Sequence, residues 1–261
     1  MVSPARLAGW EARLSTYAVT STAVGIASRE VTILLPEGYA EPSNQSRRYP
    51  VLYMHDGQNC LDHDGFGHGG WQAHTVSTDE VAAGRMAPLI VVMVDNTTSR
   101  TQEYVRGSGT APGPTAEAYL DFLERDVVPW VDRTWRTQGG PAGRALGGSS
   151  FGGLISLDGA WRRPGVWGVV MAMSAAYGYD FISFARGMDK LALRVYLDSG
   201  TTDYSGGDDG RVATITLRDG LVEKGWVLGA DLQHVIGQGH SHSEDYWRAR
   251  LPGALRWLFP P

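Results

Sequence analysis

The sequence predicts an α/β fold: a mainly parallel sheet covered by helices. Three observations predict it. Short apolar runs alternate with stretches of helical spacing along the chain. The run at residues 88–94 is apolar throughout, as a strand covered on both faces should be. A short glycine-rich run at residues 145–147 leads almost directly into an apolar helical stretch.

The elements follow in order. Residues 31–35 read as a strand closed by Pro36-Glu37-Gly38, and residues 50–54 as a short buried strand. Residues 88–94, 145–147, 166–173, 191–197 and 231–236 supply the remaining strands. Residues 117–136 carry Leu120, Phe122, Leu123, Val127, Val128, Trp130 and Val131 at nearly helical spacing. Pro129 should kink or end that helix, because it lacks an N–H and its ring crowds the preceding turn. Helices are also expected over residues 151–162 and 243–258. Two long loops remain, 96–115 and 200–210, and long loops in a compact domain are usually functional or mobile.

Composition narrows the function. The chain has 261 residues, enough for one large domain with a sizeable core. At 43% hydrophobic and 20% charged, its apolar content can offset chain entropy, which excludes dominant disorder. The 23 basic residues against 28 acidic ones give a net charge of −5, with no basic run. Nucleic acid is therefore not the expected partner. The single Cys60 excludes an intramolecular disulfide framework. No apolar run approaches the length of a membrane span, and residues 1–10 lack a signal-peptide core, so a cytoplasmic location is expected. Lys190 and Lys224 are the only lysines; heavy use of Arg, Ala and Gly points to a GC-rich bacterial source.

The chemistry centres on Gly148-Ser149-Ser150-Phe151-Gly152, a Gly-x-Ser-x-Gly pattern. A sharp strand-to-helix turn would hold Ser150 in a strained backbone with its hydroxyl exposed at a helix N-terminus. Side chains two residues to either side would collide, so both positions need Gly. With 34 Gly in the chain the pattern alone is weakly specific, and the strand before it and helix after it raise its weight. A serine hydroxyl needs a base to take its proton. His240 and His242, after the last strand, are the candidates; His234 lies within that strand and reads as structural. An acid must hold the imidazole in its useful tautomer. Asp198 at a strand end and Asp203 in the following loop are both available. The order Ser, Asp, His is that of α/β-hydrolases. The oxyanion needs two backbone donors: Phe151, directly after the nucleophile, and Gln58 in the loop after Met54.

Together these residues resemble the putative-esterase branch of the α/β-hydrolases, which includes enterochelin-type, feruloyl, acetyl xylan and S-formylglutathione esterases and mycobacterial mycolyltransferases. The likeness runs from about Tyr17 to Phe259. It is carried by residues 48–59, Trp71, residues 91–96, residues 147–154, His242-Ser243-Glu244, Trp247 and residues 251–259. It implies a single α/β-hydrolase domain over residues 1–261, with a mostly parallel eight-stranded sheet. It implies Ser150 as nucleophile and His242 rather than His240 as base. It places the acid at Gly-x-x-Asp, which is Asp203 after Gly200, with Asp198 as the alternative. Gln58 aligns with the oxyanion loop, and the loop over residues 204–211 is longer than in many relatives.

Gly57 would allow close approach at that loop, and Trp71 and Tyr104 are candidate substrate contacts. Trp161 and Cys60 read as packed residues. Asp62, His63, Asp64, His68 and His74 are metal-ligand types without zinc spacing, and Asp203, Asp208 and Asp209 lack the calcium-loop register. The expectation is a serine esterase acting on a small-molecule ester, with no metal or organic cofactor and no membrane or nucleic-acid partner. An acyltransferase using the same acyl-enzyme and a non-catalytic binding protein on this fold are the alternatives.

Overall fold

Eight strands form one sheet in the order β1-β2-β4-β3-β5-β6-β7-β8. They are β1 (Leu14–Val19), β2 (Arg29–Leu34), β3 (Val51–His55), β4 (Ile90–Val94), β5 (Arg144–Ser149), β6 (Val169–Met173), β7 (Arg194–Gly200) and β8 (Leu232–Gly237). The computed structural model describes residues 10–63, 67–107, 115–177, 181–202 and 206–261. β1 pairs antiparallel with β2, and β2 antiparallel with β4. All remaining pairs are parallel, as the mostly parallel α/β-hydrolase sheet requires.

The central strands are apolar for the expected reason. Every residue of β3, β4 and β6 is buried, because both faces of the sheet are covered. One apolar cluster, including Tyr53, Leu146, Ile155 and Trp167, packs one face. The other, including Leu52, Met93, Met171, Trp247 and Leu255, packs the opposite face. Successive strand residues alternate between the two clusters, as the period of a strand dictates.

Eight α-helices join the strands among the described residues: α1 (Ala73–Ala82), α2 (Arg100–Tyr104), α3 (Thr115–Phe122), α4 (Val128–Thr134), α5 (Phe151–Arg162), α6 (Phe181–Gly187), α7 (Arg211–Glu223) and α8 (Glu244–Leu258). Pro129 neither ends nor breaks its helix outright. A π-helical turn, Leu123–Val127, separates α3 from α4, and Pro129 falls in the first turn of α4. The helix runs on through the π turn, whose wider bonding, Val128 N–H to the Leu123 carbonyl, accommodates the proline without a break. The loop expected over residues 96–115 contains the short helix α2; residues 108–114 of it lie outside the described residues.

Ion pairs on two glutamates fix helices against the sheet and against each other. Arg29 of β2 donates twice to Glu103 of α2, both at 2.8 Å and both side chains buried, which anchors α2. Glu80 of α1 accepts from Arg85 and from Arg256 of α8 and so clasps these helices together. These hydrogen bonds hold the Glu80 carboxyl down at about 2, from an ordinary 4.5. A carboxyl depressed on folding contributes stability above its unfolded value, and that contribution is lost as pH falls through the folded one. Glu80→Gln should therefore flatten the loss of stability between about pH 4.5 and 2, read as urea midpoints at several pH values. Unchanged slopes in this window would remove Glu80 from the acid transition.

Among the described residues no helix is long and apolar enough to cross a membrane.

Candidate active site

The site forms at the carboxyl ends of the parallel strands. β5 ends at Ser149, and α5 begins at Phe151. Between them Ser150 has φ 56° and ψ −125°, a strained conformation for a residue with a side chain. Its N–H donates to the Met173 carbonyl at 3.1 Å, and its carbonyl accepts from Leu154 and Ala176. The glycines do what the pattern requires. A Cβ on Gly148 would sit 2.9 Å from the Gly152 carbonyl carbon, and one on Gly152 would sit 3.1 Å from Asp56 Oδ2. The turn brings Gly148 against Gly152, and Gly152 also packs against the end of β3.

His242 precedes α8, whose N-terminus is flanked by Ser243. Its Nδ1 lies 2.6 Å from Asp209 Oδ1, and the Asp209 carboxylate is fully buried. His240 faces elsewhere: its ring packs on Tyr246 at 4.7 Å, and its Nδ1 meets Arg250 Nη1 at 3.2 Å. The geometry thus separates the two histidines.

The sequence offered Asp203 and Asp198 as the acid. Asp203 lies outside the described residues. The carboxylate seen on His242 is that of Asp209, further along the same loop. Gly200 explains how the loop reaches it. Its N–H donates to Asp209 Oδ2 at 2.5 Å, and a Cβ there would meet the His240 carbonyl oxygen at 2.1 Å. The glycine of the Gly-x-x-Asp pattern thus lets the two loops close over the end of β7. Asp209 has φ 52°, in the left-handed region that Asp tolerates better than most residues. Asp198, the alternative, is committed to another partner. It is fully buried, accepts from Arg250 Nη2 at 3.0 Å, and lies 3.0 Å from Arg250 Nε. Burial pushes its carboxyl up, and Arg250 opposes that shift. Breaking such a buried pair costs about 3–5 kcal/mol, so Asp198 is held where it is.

Phe151 is the first residue of α5, so its N–H has no intrahelical acceptor and the helix dipole adds positive potential there. Gln58 sits in the 3-10 turn Gly57–Asn59 that follows β3. This turn lies tightly against the end of β4: a Cβ on Gly57 would meet Met93 backbone atoms at 2.7 and 2.8 Å and Asp95 Oδ1 at 2.7 Å. Gly57 is therefore a packing requirement of this turn. Asp95, beside it, is half-buried, and desolvation with Glu30 and Asp56 nearby raises its carboxyl to about 6.

A cavity of about 570 Å³ joins these parts. Ser150, His242, Gln58, Trp71, Trp247 and Arg100 are among its lining residues. Its size suits a small-molecule ligand. The rings of Trp71 and Trp247 lie 5.7 Å apart in its wall. Tyr104 does not reach the cavity, contrary to expectation. It is fully buried and packs on His55 and Tyr119 behind the turn that follows β3. A loop tyrosine with no visible helical pattern gave no warning that α2 would turn it inward.

Sequence reasoning missed the brace of the turn that follows β3. Asp56, with φ 56°, accepts from Arg100 Nε at 2.7 Å, Arg100 Nη2 at 2.8 Å and Asn96 Nδ2 at 2.5 Å. The Arg100 guanidinium also lies 5.6 Å from the Phe151 ring. Beneath it His55 is buried with Nδ1 2.8 Å from the Tyr119 hydroxyl. Desolvation lowers its pKa to about 3, so it stays neutral. Of the metal-ligand types, Asp64 lies outside the described residues, His74 Nε2 is 3.3 Å from Asp62, and His68 Nδ1 is 3.4 Å from Asp245. No group of three or more His, Cys, Asp or Glu that could hold a metal occurs among the described residues.

Residues 26–258 match the protein family described as "Putative esterase". The chain belongs to that family, and with it to the carboxylic ester hydrolases of the α/β-hydrolase fold. It is 22% identical over 246 residues to the uncharacterized protein YbbA of Bacillus subtilis, covering 89% of this chain and 93% of that one. The enterobactin esterase FES of Shigella flexneri has a similar structure, with TM-score 0.73 and 18% identity over 94% of this chain. This chain spans 59% of that protein's length. A ferulic acid esterase matches with TM-score 0.72 and 18% identity, covering 94% of this chain and 96% of that one. At these identities the two structures establish the fold.

Proposed function

We propose that the protein cleaves a carboxylic ester through an acyl-enzyme formed on Ser150, with His242 as general base and Asp209 orienting it. The observation that carries this reading is the 2.6 Å contact of Asp209 with His242 Nδ1, beside a cavity that both Ser150 and His242 line. Nδ1 donates to the buried carboxylate, which leaves Nε2 unprotonated as the base.

Ser150 Oγ attacks the ester carbonyl carbon as its proton passes to His242 Nε2. The carbonyl oxygen becomes an oxyanion and takes hydrogen bonds from the Phe151 and Gln58 N–H groups. The tetrahedral intermediate collapses, the C–O bond to the alcohol breaks, and His242 protonates the leaving oxygen. Water then attacks the acyl-enzyme, giving its proton to His242, and the carboxylic acid leaves as Ser150 recovers its proton. No step calls on a metal or organic cofactor. The tryptophan walls and polar rim suit a small ester with an apolar portion.

A fluorophosphonate tests this without knowledge of the substrate. It should modify Ser150, mapped by mass spectrometry. Labelling should vanish in His242→Ala and persist in His240→Ala. A folded wild-type protein that takes no label at Ser150 would overturn the mechanism.

A further inference from the structure

Behind Asp209 lies a second layer of buried polar groups that the mechanism above does not use. Ser174, just past the end of β6, is buried, and its hydroxyl lies 2.6 Å from Asp209 Oδ2. Ser174 Oγ in turn accepts from Trp247 Nε1 at 3.0 Å and from Arg250 Nη2 at 2.9 Å. Trp247 and Arg250 come from the buried stripe of α8, with Leu251, Ala254, Leu255 and Leu258. Arg250 is itself fixed by its ion pair with Asp198.

The direction of these hydrogen bonds is forced. Indole and guanidinium nitrogens only donate, and a hydroxyl has one proton and two lone pairs. Trp247 and Arg250 occupy both lone pairs of Ser174. Its only proton must therefore go to Asp209 Oδ2. That oxygen also accepts the Gly200 N–H, so it cannot carry a proton of its own. Three donors then converge on one buried carboxylate: Ser174 and Gly200 on Oδ2, and His242 on Oδ1.

We infer that Ser174, polarised by Arg250 and Trp247, is a positioning residue that holds Asp209 ionised and thereby selects the Nδ1–H tautomer of His242. The inference rests on the ester-hydrolase reading for its catalytic consequence, and on the hydrogen-bond geometry alone for the tautomer. Arg250 has two duties. It neutralises Asp198 at the end of β7, and it orients a hydroxyl that serves the catalytic acid. Ser174 takes φ 44°, so the hydroxyl is held between Asp209 and α8 by a left-handed turn.

The test is Ser174→Ala, with two readouts. Removing one hydrogen bond to a charged group should lower kcat about 10- to 100-fold, with KM within about twofold. Long-range ¹H–¹⁵N correlation spectra, recorded where His242 is neutral, should change from one Nδ1–H species to a mixture of tautomers. A purely structural serine would lower the melting temperature and leave the tautomer alone. The double substitution Asp198→Asn/Arg250→Met asks the same question from the other side, without stranding a buried charge, and serves if Ser174→Ala does not fold. It should also mix the tautomers, less completely, because Ser174 keeps its proton but gains an acceptor site. A folded variant with wild-type kcat and a single Nδ1–H species overturns the inference. If the wild-type protein neither takes a fluorophosphonate nor turns over an ester, the hydrolase reading fails, and the spectra still decide the relay.

Discussion

Asp209→Asn is expected to lower kcat/KM about 10⁴-fold while the protein stays folded. The size of the loss follows from which end of the new amide faces His242. Ser174 and Gly200 both donate to Asp209 Oδ2, so the amide oxygen must take that place. The NH₂ group is then left facing His242 Nδ1, at a position now 2.6 Å away. Nδ1 has to accept, the proton moves to Nε2, and the base is blocked. Shape and burial hardly change, so the melting temperature should move far less than the rate. Asp198→Asn is the control: it disturbs the pair with Arg250 and should cost stability more than turnover. Asp203→Asn completes the comparison. A loss of about 10⁴-fold there, with Asp209→Asn near wild type, would return the role of the acid to Asp203.

What the sequence made legible depended on how local the cause was. The elbow was readable because its pattern lies within five consecutive residues: a Cβ on Gly148 would press on Gly152 itself, although the one on Gly152 would meet Asp56 and His55 from the end of β3. The central strands were readable because burial on both faces writes an unbroken apolar run, as in β4. β1 was missed because it is an edge strand whose middle residues are exposed, so no core-facing alternation marks it. α1 was missed because its buried face is Ala73, His74, Ser77 and Glu80, small or polar residues that give no apolar stripe. α7 was missed because only Leu217 and Leu221 mark its buried face in apolar terms: Val212 and Val222 point outward while Thr214 and Gly220 point inward.

The site divides in the same way. The proposed roles of Ser150, Phe151 and Gln58 follow from local motifs. Asp209 does not, because its contact with His242 spans 33 residues and depends on how a loop closes over Gly200. The Asp208-Asp209-Gly210 turn just before α7 was the available signal: an Asp-Gly pair at a helix start marks a left-handed turn. The Asp56, Asn96 and Arg100 brace carries no signal, since it joins two loops through side chains that any surface loop might carry. The buried pair of Arg29 and Glu103 that aims Arg100 is equally invisible, although it fixes α2 beneath the site.

Ser150→Ala is expected to remove most of the catalysis, about 10⁶-fold in kcat, and His242→Ala nearly as much. The two losses should not add. Once the nucleophile is gone the base has no proton to take, so the double variant should match Ser150→Ala. What remains should still exceed the uncatalysed rate by about 10³–10⁴-fold, supplied by binding and by the Phe151 and Gln58 N–H groups. Gly57→Ala in the Ser150→Ala background isolates that remainder. The added methyl would press on the Met93 backbone at 2.7–2.8 Å and push the 3-10 turn, with the Gln58 N–H, out of position. Loss of one oxyanion donor costs about 10²–10³-fold, so most of the residual rate should disappear while the melting temperature reports whether the turn still folds. A residual rate untouched by Gly57→Ala in a folded protein would place the second oxyanion donor elsewhere than the loop after β3. Additive losses in the Ser150 and His242 pair would mean that the two residues act in separate steps, and the acyl-enzyme mechanism would have to be abandoned.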